Sequence, residues 1–171
     1  MHLRRLESHE TNLHRDLRLR ALRDAPDAFG ETFADAGSRP TSYWEELTRS
    51  VTEPGRHVMF LACEGTHVLG STYGLLDRDR SAAGRVGGLW VEPAWRRRGV
   101  GRALLQEVFR WARERGLSRL ALWAPAHSPA ALALYAQAGF RETGTRRPLP
   151  MNPALQIVEM ETAVTPSPHT T

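Results

Sequence analysis

The chain has 171 residues, one domain's worth, and a chain of that length buries roughly 70% of the surface that its unfolded form exposes. All 23 basic residues are arginine, and the lack of lysine excludes a Walker-A loop, a pyridoxal-phosphate Schiff base and a protein-kinase ATP site, each of which needs one. The net charge is +4, yet Glu92 to Arg119 alone carries eight arginines against three glutamates, 8 − 3 = +5, so the excess is local and argues for one polyanion site rather than the wide basic stripe of a nucleic-acid binder.

Leu3 to Leu6 reads as a short first strand, and Thr11 to Arg23, with Leu13, Leu17, Ala21 and Leu22 on one face, as an amphipathic helix bounded by Pro26. Asp27 to Asp35 follows as a loop or broken helix, and Tyr43 to Val51 as a second short helix introduced by Pro40, Thr41 and Ser42. Arg56 to Glu64 and Val68 to Leu76 are β-rich runs joined by the hairpin signal Glu64-Gly65-Thr66-His67. Cys63, the only cysteine, lies in the first run and is expected to be a buried, inert thiol. A single cysteine excludes an intramolecular disulfide or a cysteine-built zinc cage and points to a reducing compartment. Asp77 to Gly84 is a polar turn, and Val86 to Val91 the next strand, with Gly87-Gly88 marking a bulge or a close backbone approach.

Arg96-Arg97-Arg98-Gly99-Val100-Gly101 then separates that strand from a helix over Arg102 to Arg115. Leu104, Leu105, Val108, Phe109, Trp111 and Ala112 form its apolar face, with Arg102, Gln106, Arg110 and Arg113 opposite and Gly116 as the stop. Glycines let the backbone come close to a ligand, and a turn feeding a helix N-terminus offers unpaired N–H groups at the positive end of the helix dipole. Strand, basic glycine loop and helix in that order suit a diphosphate. Arg119 to Trp123 gives another strand. Ser128 to Ala138 gives a helix, with Ser128 able to cap it and Pro129 suited to its first turn. Phe140 onward and Gln156 to Thr162 form a closing hairpin. The expectation is a single domain over 1–165 with a flexible tail over 166–171. The N-terminal segment lacks the apolar core of a signal peptide, and no stretch approaches the ~20 apolar residues of a membrane span.

Arg96-x-x-Gly99-x-Gly101 after a short strand resembles motif A of the GNAT superfamily of N-acetyltransferases. Ser128 to Phe140, in which a helix ends in Leu134-Tyr135 and three further residues lead to Gly139-Phe140, resembles motif B. The resemblance runs from about His57 to Ala163. It implies an α/β (α+β) fold with a mixed, mostly antiparallel sheet, one splayed strand and flanking helices, the N-terminal region forming part of the acceptor wall. It also implies acetyl-coenzyme A as co-substrate, its diphosphate at Arg96, Arg97, Arg98, Gly99, Val100, Gly101 and Arg102 and its pantetheine along the main chain of Leu89 and Val91. Ser128 stands where the family commonly places an asparagine that contacts the cofactor. A Rossmann arrangement is excluded, because this sequence lacks the third glycine at the required spacing and its preceding strands form hairpins rather than βαβ units.

Making an amide from a thioester needs a neutral amine, stabilisation of the developing oxyanion and a proton for the departing thiolate. Tyr135 reads by its neighbours Leu132 and Leu134 as a core residue; the resemblance implies instead that its phenol protonates the coenzyme A thiolate. No general base is assigned. Glu92 is expected to face solvent, and Glu31 and Asp77 read as surface carboxylates that could act through a water. The seven histidines show no metal-ligand spacing, His57 and His67 could approach across the hairpin but read rather as two exposed strand histidines, and no Gly-x-Ser-x-Gly elbow exists, so neither metal nor serine-nucleophile chemistry is expected. The resulting expectation is a cytoplasmic, acetyl-coenzyme-A-dependent N-acetyltransferase of a primary amine on a small molecule, protein or peptide. A non-catalytic acyl-coenzyme A binding or sensing module on the same fold is the alternative. The partners expected are the amine acceptor and, as an option, a second copy in a homodimer, with no nucleic acid and no membrane. Asp27, Glu31, Asp35, Glu45 and Glu46 could attract a cationic amine.

Overall fold

His57–Glu64 is buried at its six central positions, and a strand of that kind needs cover on both faces. Val58, Phe60 and Ala62 join one core cluster, and Met59, Leu61 and Cys63 join another. The computed structural model describes residues 1–53, 55, 57–77 and 82–165 and meets this need with helices on both sides of one sheet. In chain order the elements are β1 His2–Arg5, α1 Thr11–Asp24, α2 Phe33–Ser38, α3 Thr41–Thr52, β2 His57–Glu64, β3 His67–Leu76, β4 Ala83–Val91, α4 Val100–Glu114, β5 Arg119–Pro125, α5 Pro129–Gln137, β6 Arg141–Leu149 and β7 Asn152–Ala163. Among the described residues the seven strands run in the order β1-β2-β3-β4-β5-β7-β6. Only β4 and β5 pair in parallel, so the sheet is mixed and mostly antiparallel, as expected.

On one face α4 buries Leu104, Leu105, Val108, Trp111 and Ala112 against Val58, Phe60 and Leu120, each large side chain contributing about 1.5–3 kcal/mol of burial. On the other, Leu17 and Ala21 of α1 and Val51 of α3 pack on Met59, Leu61 and Trp90. The stretch read as a loop or broken helix resolves into a 3-10 turn at Pro26–Ala28 and α2, where Asp35 N–H donates to Thr32 Oγ1 at 3.0 Å as an N-cap. β4 starts at Ala83, earlier than the periodicity indicates, because Ala83 to Arg85 pair with β5 and Gly84 and Arg85 also pair with β3. Positions 78–81 of the polar turn, Arg56 and the 166–171 tail lie outside the described residues.

Two irregularities shape the centre of the sheet. Ser71 pairs with Trp90 but Tyr73 with Gly87, so β4 uses three residues where β3 uses two. This is the bulge that Gly87-Gly88 signals, and Gly88 takes φ +58°. The second irregularity is that β4–β5 pairing stops at Arg85↔Ala121, although β4 continues to Val91 and β5 to Pro125. Among the described residues β4 has a strand partner only on its β3 side from Val86 onward, and the two parallel strands splay.

His14, on α1, is 6% exposed, sits edge-on to Trp44 at 6.1 Å and shares a 3.0 Å hydrogen bond between Nδ1 and Thr48 Oγ1. Burial, helped by the charge of Arg18, lowers its pKa from 6.5 to about 4. The unfolded chain therefore binds one proton more than the folded chain between those values. Stability should be unaffected by this group above pH 6.5 and should fall as pH drops through the window, by about 3 kcal/mol at pH 4. Urea titrations from pH 7 to pH 4 should show that loss in the parent and a shallower one in His14→Gln; parallel profiles would contradict it.

Candidate active site

Pro93–Trp95 forms a 3-10 turn after β4, in which Trp95 N–H donates to Glu92 O at 2.8 Å and Arg96 N–H to Pro93 O at 3.3 Å. The chain then turns through left-handed conformations at Arg97, φ +62°, and Gly99, φ +83°, and enters α4. α4 begins at Val100 rather than Arg102 because Gly99 itself occupies the N-cap. Ala103 N–H is the first of the helix to find an acceptor, Gly99 O at 3.0 Å. Among the described residues no acceptor meets the N–H groups of Arg97, Arg98, Gly99, Val100, Gly101 and Arg102. Six successive open donors leading into a 15-residue helix are the kind of donor set that suits an anion. Gly101 has a second constraint, since a Cβ there would stand 3.1 Å from Leu134 Cδ2 on α5.

The three arginines of this loop differ. Arg96 Nε donates to Val91 O at 2.9 Å, and its Nη2 contacts Asp24 Oδ2, which also accepts from Trp90 Nε1 at 2.9 Å. Its guanidinium thus ties the loop to the last residue of α1 and to the end of β4. Arg98 lies over the Trp95 ring at 5.1 Å, and Arg97, Arg98 and Arg102 are exposed. Asp24 has no local signature, and periodicity marks it only as the polar end of a helix.

Tyr135 is 9% exposed. The motif spacing around it has a physical basis: Gly139 takes φ +94°, Gly139 N–H donates to Ala136 O at 3.0 Å and Phe140 N–H to Tyr135 O at 3.0 Å. These are the paired bonds of a Schellman cap, and the Tyr135–Phe140 ring contact at 6.0 Å is its accompanying apolar contact. Burial first, and the neighbouring Tyr73 phenol second, raise the Tyr135 pKa well above its ordinary value, so the group stays protonated at working pH. No hydrogen bond to its hydroxyl occurs among the described residues. Ser128 caps α5, accepting from Ala131 N–H at 3.4 Å. Leu89 and Val91 are partly buried against the α4 side of the core.

On the α1–α3 side a cavity of about 280 Å³ reaches the splayed strand, with Gly88 and Tyr73 in its wall. A Cβ on Gly87 or Gly88 would fall 2.3 Å from a Tyr73 ring carbon, so that ring lies directly on the bulge. Glu31 lines the cavity and accepts from Arg18 Nε at 2.7 Å. The other carboxylates are placed differently from their expected surface positions. The Asp77 side chain accepts from Arg85 Nε at 3.0 Å and is only 5% exposed. Glu92 joins Arg20 at 2.8 Å and His67 instead of facing solvent. His57 and His67 do not meet: they pair with Leu75 and Glu64, at opposite ends of the hairpin. Register, which sequence spacing leaves open, decides all three.

Residues 19–140 match the model of the Acetyltransferase (GNAT) family. Over 109 residues the chain is 34% identical to an aminoglycoside N(6')-acetyltransferase type 1 of Stenotrophomonas maltophilia, covering 58% of this chain and 69% of that enzyme. Over 57 residues it is 42% identical to the ribosomal protein bS18-alanine N-acetyltransferase of Escherichia coli K12, covering 33% of this chain and 38% of that enzyme. The structure of yncA, a putative acetyltransferase of Salmonella typhimurium with its cofactor acetyl-CoA, shares the fold at TM-score 0.75 and 17% identity, covering 100% of this chain and 99% of that one.

Proposed function

This chain belongs to the GNAT acetyltransferase family, and from that premise we propose that the splay between β4 and β5, the loop Arg97–Arg102 and the α1–α3 cavity are the parts of one active site. The chain is an acetyl-coenzyme-A-dependent N-acetyltransferase acting on a primary amine. The observation that carries the site assignment is the end of β4–β5 pairing at Arg85↔Ala121 beside six open N–H groups.

Acetyl-coenzyme A supplies an activated acetyl thioester. The open amides of Arg97 to Arg102 bind its diphosphate, and the exposed guanidiniums of Arg97, Arg98 and Arg102 add long-range attraction. Arg96 acts mainly by holding the loop, through Asp24 and the Val91 carbonyl. The main chain of Leu89 and Val91 orients the pantetheine, and Ser128 contributes by fixing the start of α5. The Tyr135 phenol, kept protonated by burial, supplies the proton that the leaving thiolate takes up. The cavity admits the amine from the opposite side of the sheet, so acceptor and co-substrate approach β4 from different faces. A cytoplasmic setting is supported by the single, buried cysteine; among the described residues no helix is long and apolar enough to cross a membrane.

The test has two parts. Acetyl-coenzyme A at 100 times its dissociation constant should add about 2.7 kcal/mol of stability, a rise of several degrees in Tm for a chain of this size, and thiol release should depend on an added amine. Absence of both would overturn the site assignment. Asp24→Asn keeps an acceptor for Trp90 but weakens the charged tether of Arg96. Because Arg96 is about half exposed, its side chain 47% accessible, the pair contributes up to about 1 kcal/mol, and calorimetry should show acetyl-coenzyme A binding two- to fivefold more weakly. An unchanged Kd would remove the tether from the account.

A further inference from the structure

The cavity holds an arginine whose two terminal nitrogens have no partner among the described residues. Arg18, with its side chain 21% exposed, donates through Nε to Glu31, itself 23% exposed, at 2.7 Å, and its guanidinium lies over the Phe29 ring at 4.8 Å. One edge and one face of the group are therefore held. No acceptor among the described residues meets Nη1 or Nη2. A largely desolvated guanidinium with its terminal fork open is matched by a carboxylate, whose two oxygens fit that fork.

We propose that the acceptor is a small amine that carries its own carboxylate on an otherwise apolar body, an amino acid or a close analogue, and that Arg18 selects it. This rests on the acceptor role proposed for the cavity. The rest of the lining agrees with such a molecule. Leu17, Leu47, Val51 and Met59 give it an apolar floor, and His14 is neutral at pH 7 with its pKa near 4. Among the described residues Glu31 is the one carboxylate of the lining and is already paired, so they leave no surplus negative charge to draw a polycation. Its volume of about 280 Å³ lies just below the roughly 300–1,000 Å³ range of small-molecule sites, room for one small molecule. Arg18, Tyr73 and Gly88 line the same cavity, and the Tyr73 ring rests on Gly87 and Gly88, so a carboxylate held by Arg18 keeps its amine in the space that reaches the splayed strand. The amine nitrogen then forms the C–N bond to the acetyl carbon as the C–S bond breaks. The nitrogen gives up one proton, the thiolate gains one, and the carboxylate is unchanged.

The experiment follows thiol release from acetyl-coenzyme A with leucine, methionine and phenylalanine, each beside its carboxamide and its decarboxylated amine, and with kanamycin and an alanine-initiated hexapeptide. At least one free acid should exceed its own carboxamide about tenfold or more in kcat/KM, through KM, and Arg18→Gln should bring that ratio close to one. Carboxamides, kanamycin or the peptide used as well as the acids, or no amine used at all, would overturn the inference, and so would an Arg18→Gln enzyme that keeps the ratio. If Arg18→Gln does not fold, the ratio in the parent decides alone. Ser50→Trp, which fills the cavity from α3, separates the two levels. Turnover of the accepted amine should stop; if it continues, the cavity is not the acceptor site. If it stops while acids show no preference, only the carboxylate requirement fails.

Discussion

Tyr135→Phe should fold and bind acetyl-coenzyme A like the parent and lose about 10²–10⁴-fold in kcat, the usual contribution of a positioned acid. The substitution leaves the ring in place, and with it the contact to Phe140 that closes the α5 cap. Because no hydrogen bond to the hydroxyl occurs among the described residues, its removal orphans no partner there, so Tm should hardly move. A purely structural tyrosine would leave kcat intact. Thiol release measured beside Tm in the two proteins distinguishes these outcomes, and a full-speed Tyr135→Phe enzyme would assign the proton to another donor.

Gly88→Val should be the most damaging single substitution in the sheet. It places a β-branched residue at φ +58°, and its Cβ would stand 2.3 Å from Tyr73 Cε1. Strain of this kind and overpacking each cost about 1–3 kcal/mol, a large share of the roughly 5–15 kcal/mol that holds an ordinary domain together. The denaturation midpoint should fall sharply, and any folded fraction should be inactive because the bulge aims the splayed strand. Adding Tyr73→Ala removes the ring but not the backbone strain, so the double variant should recover part of the stability lost by Gly88→Val. Full stability in Gly88→Val would mean that the ring and the bulge are not in contact.

Much of the candidate site's geometry could be read along the chain because it is local backbone structure. The loop Arg96 to Gly101 and the spacing Tyr135-x-x-x-Gly139-Phe140 are short-range structures, a helix entrance and a Schellman cap, so the residue types that the backbone demands appear in order. Gly87-Gly88 likewise signals a bulge wherever its partner strand lies. What escaped depends on pairs brought together by the fold. Asp24 and Arg96 are 72 positions apart, and nothing in either neighbourhood ties them. Asp77 and Glu92 look like surface carboxylates until the sheet places Arg85, Arg20 and His67 beside them. The open fork of Arg18 could not be seen either, since it follows from where Glu31 and Phe29 fall around α1.

Amide hydrogen exchange across Arg97 to Arg102 shows whether these backbone amides hold the co-substrate. Without acetyl-coenzyme A these amides should exchange fast, as they have no acceptor among the described residues. With it, several should slow by an order of magnitude or more, while Ala103, already bonded to Gly99 O, changes less. Saturating acetyl-coenzyme A with exchange at Arg97 to Arg102 unaltered would contradict the account.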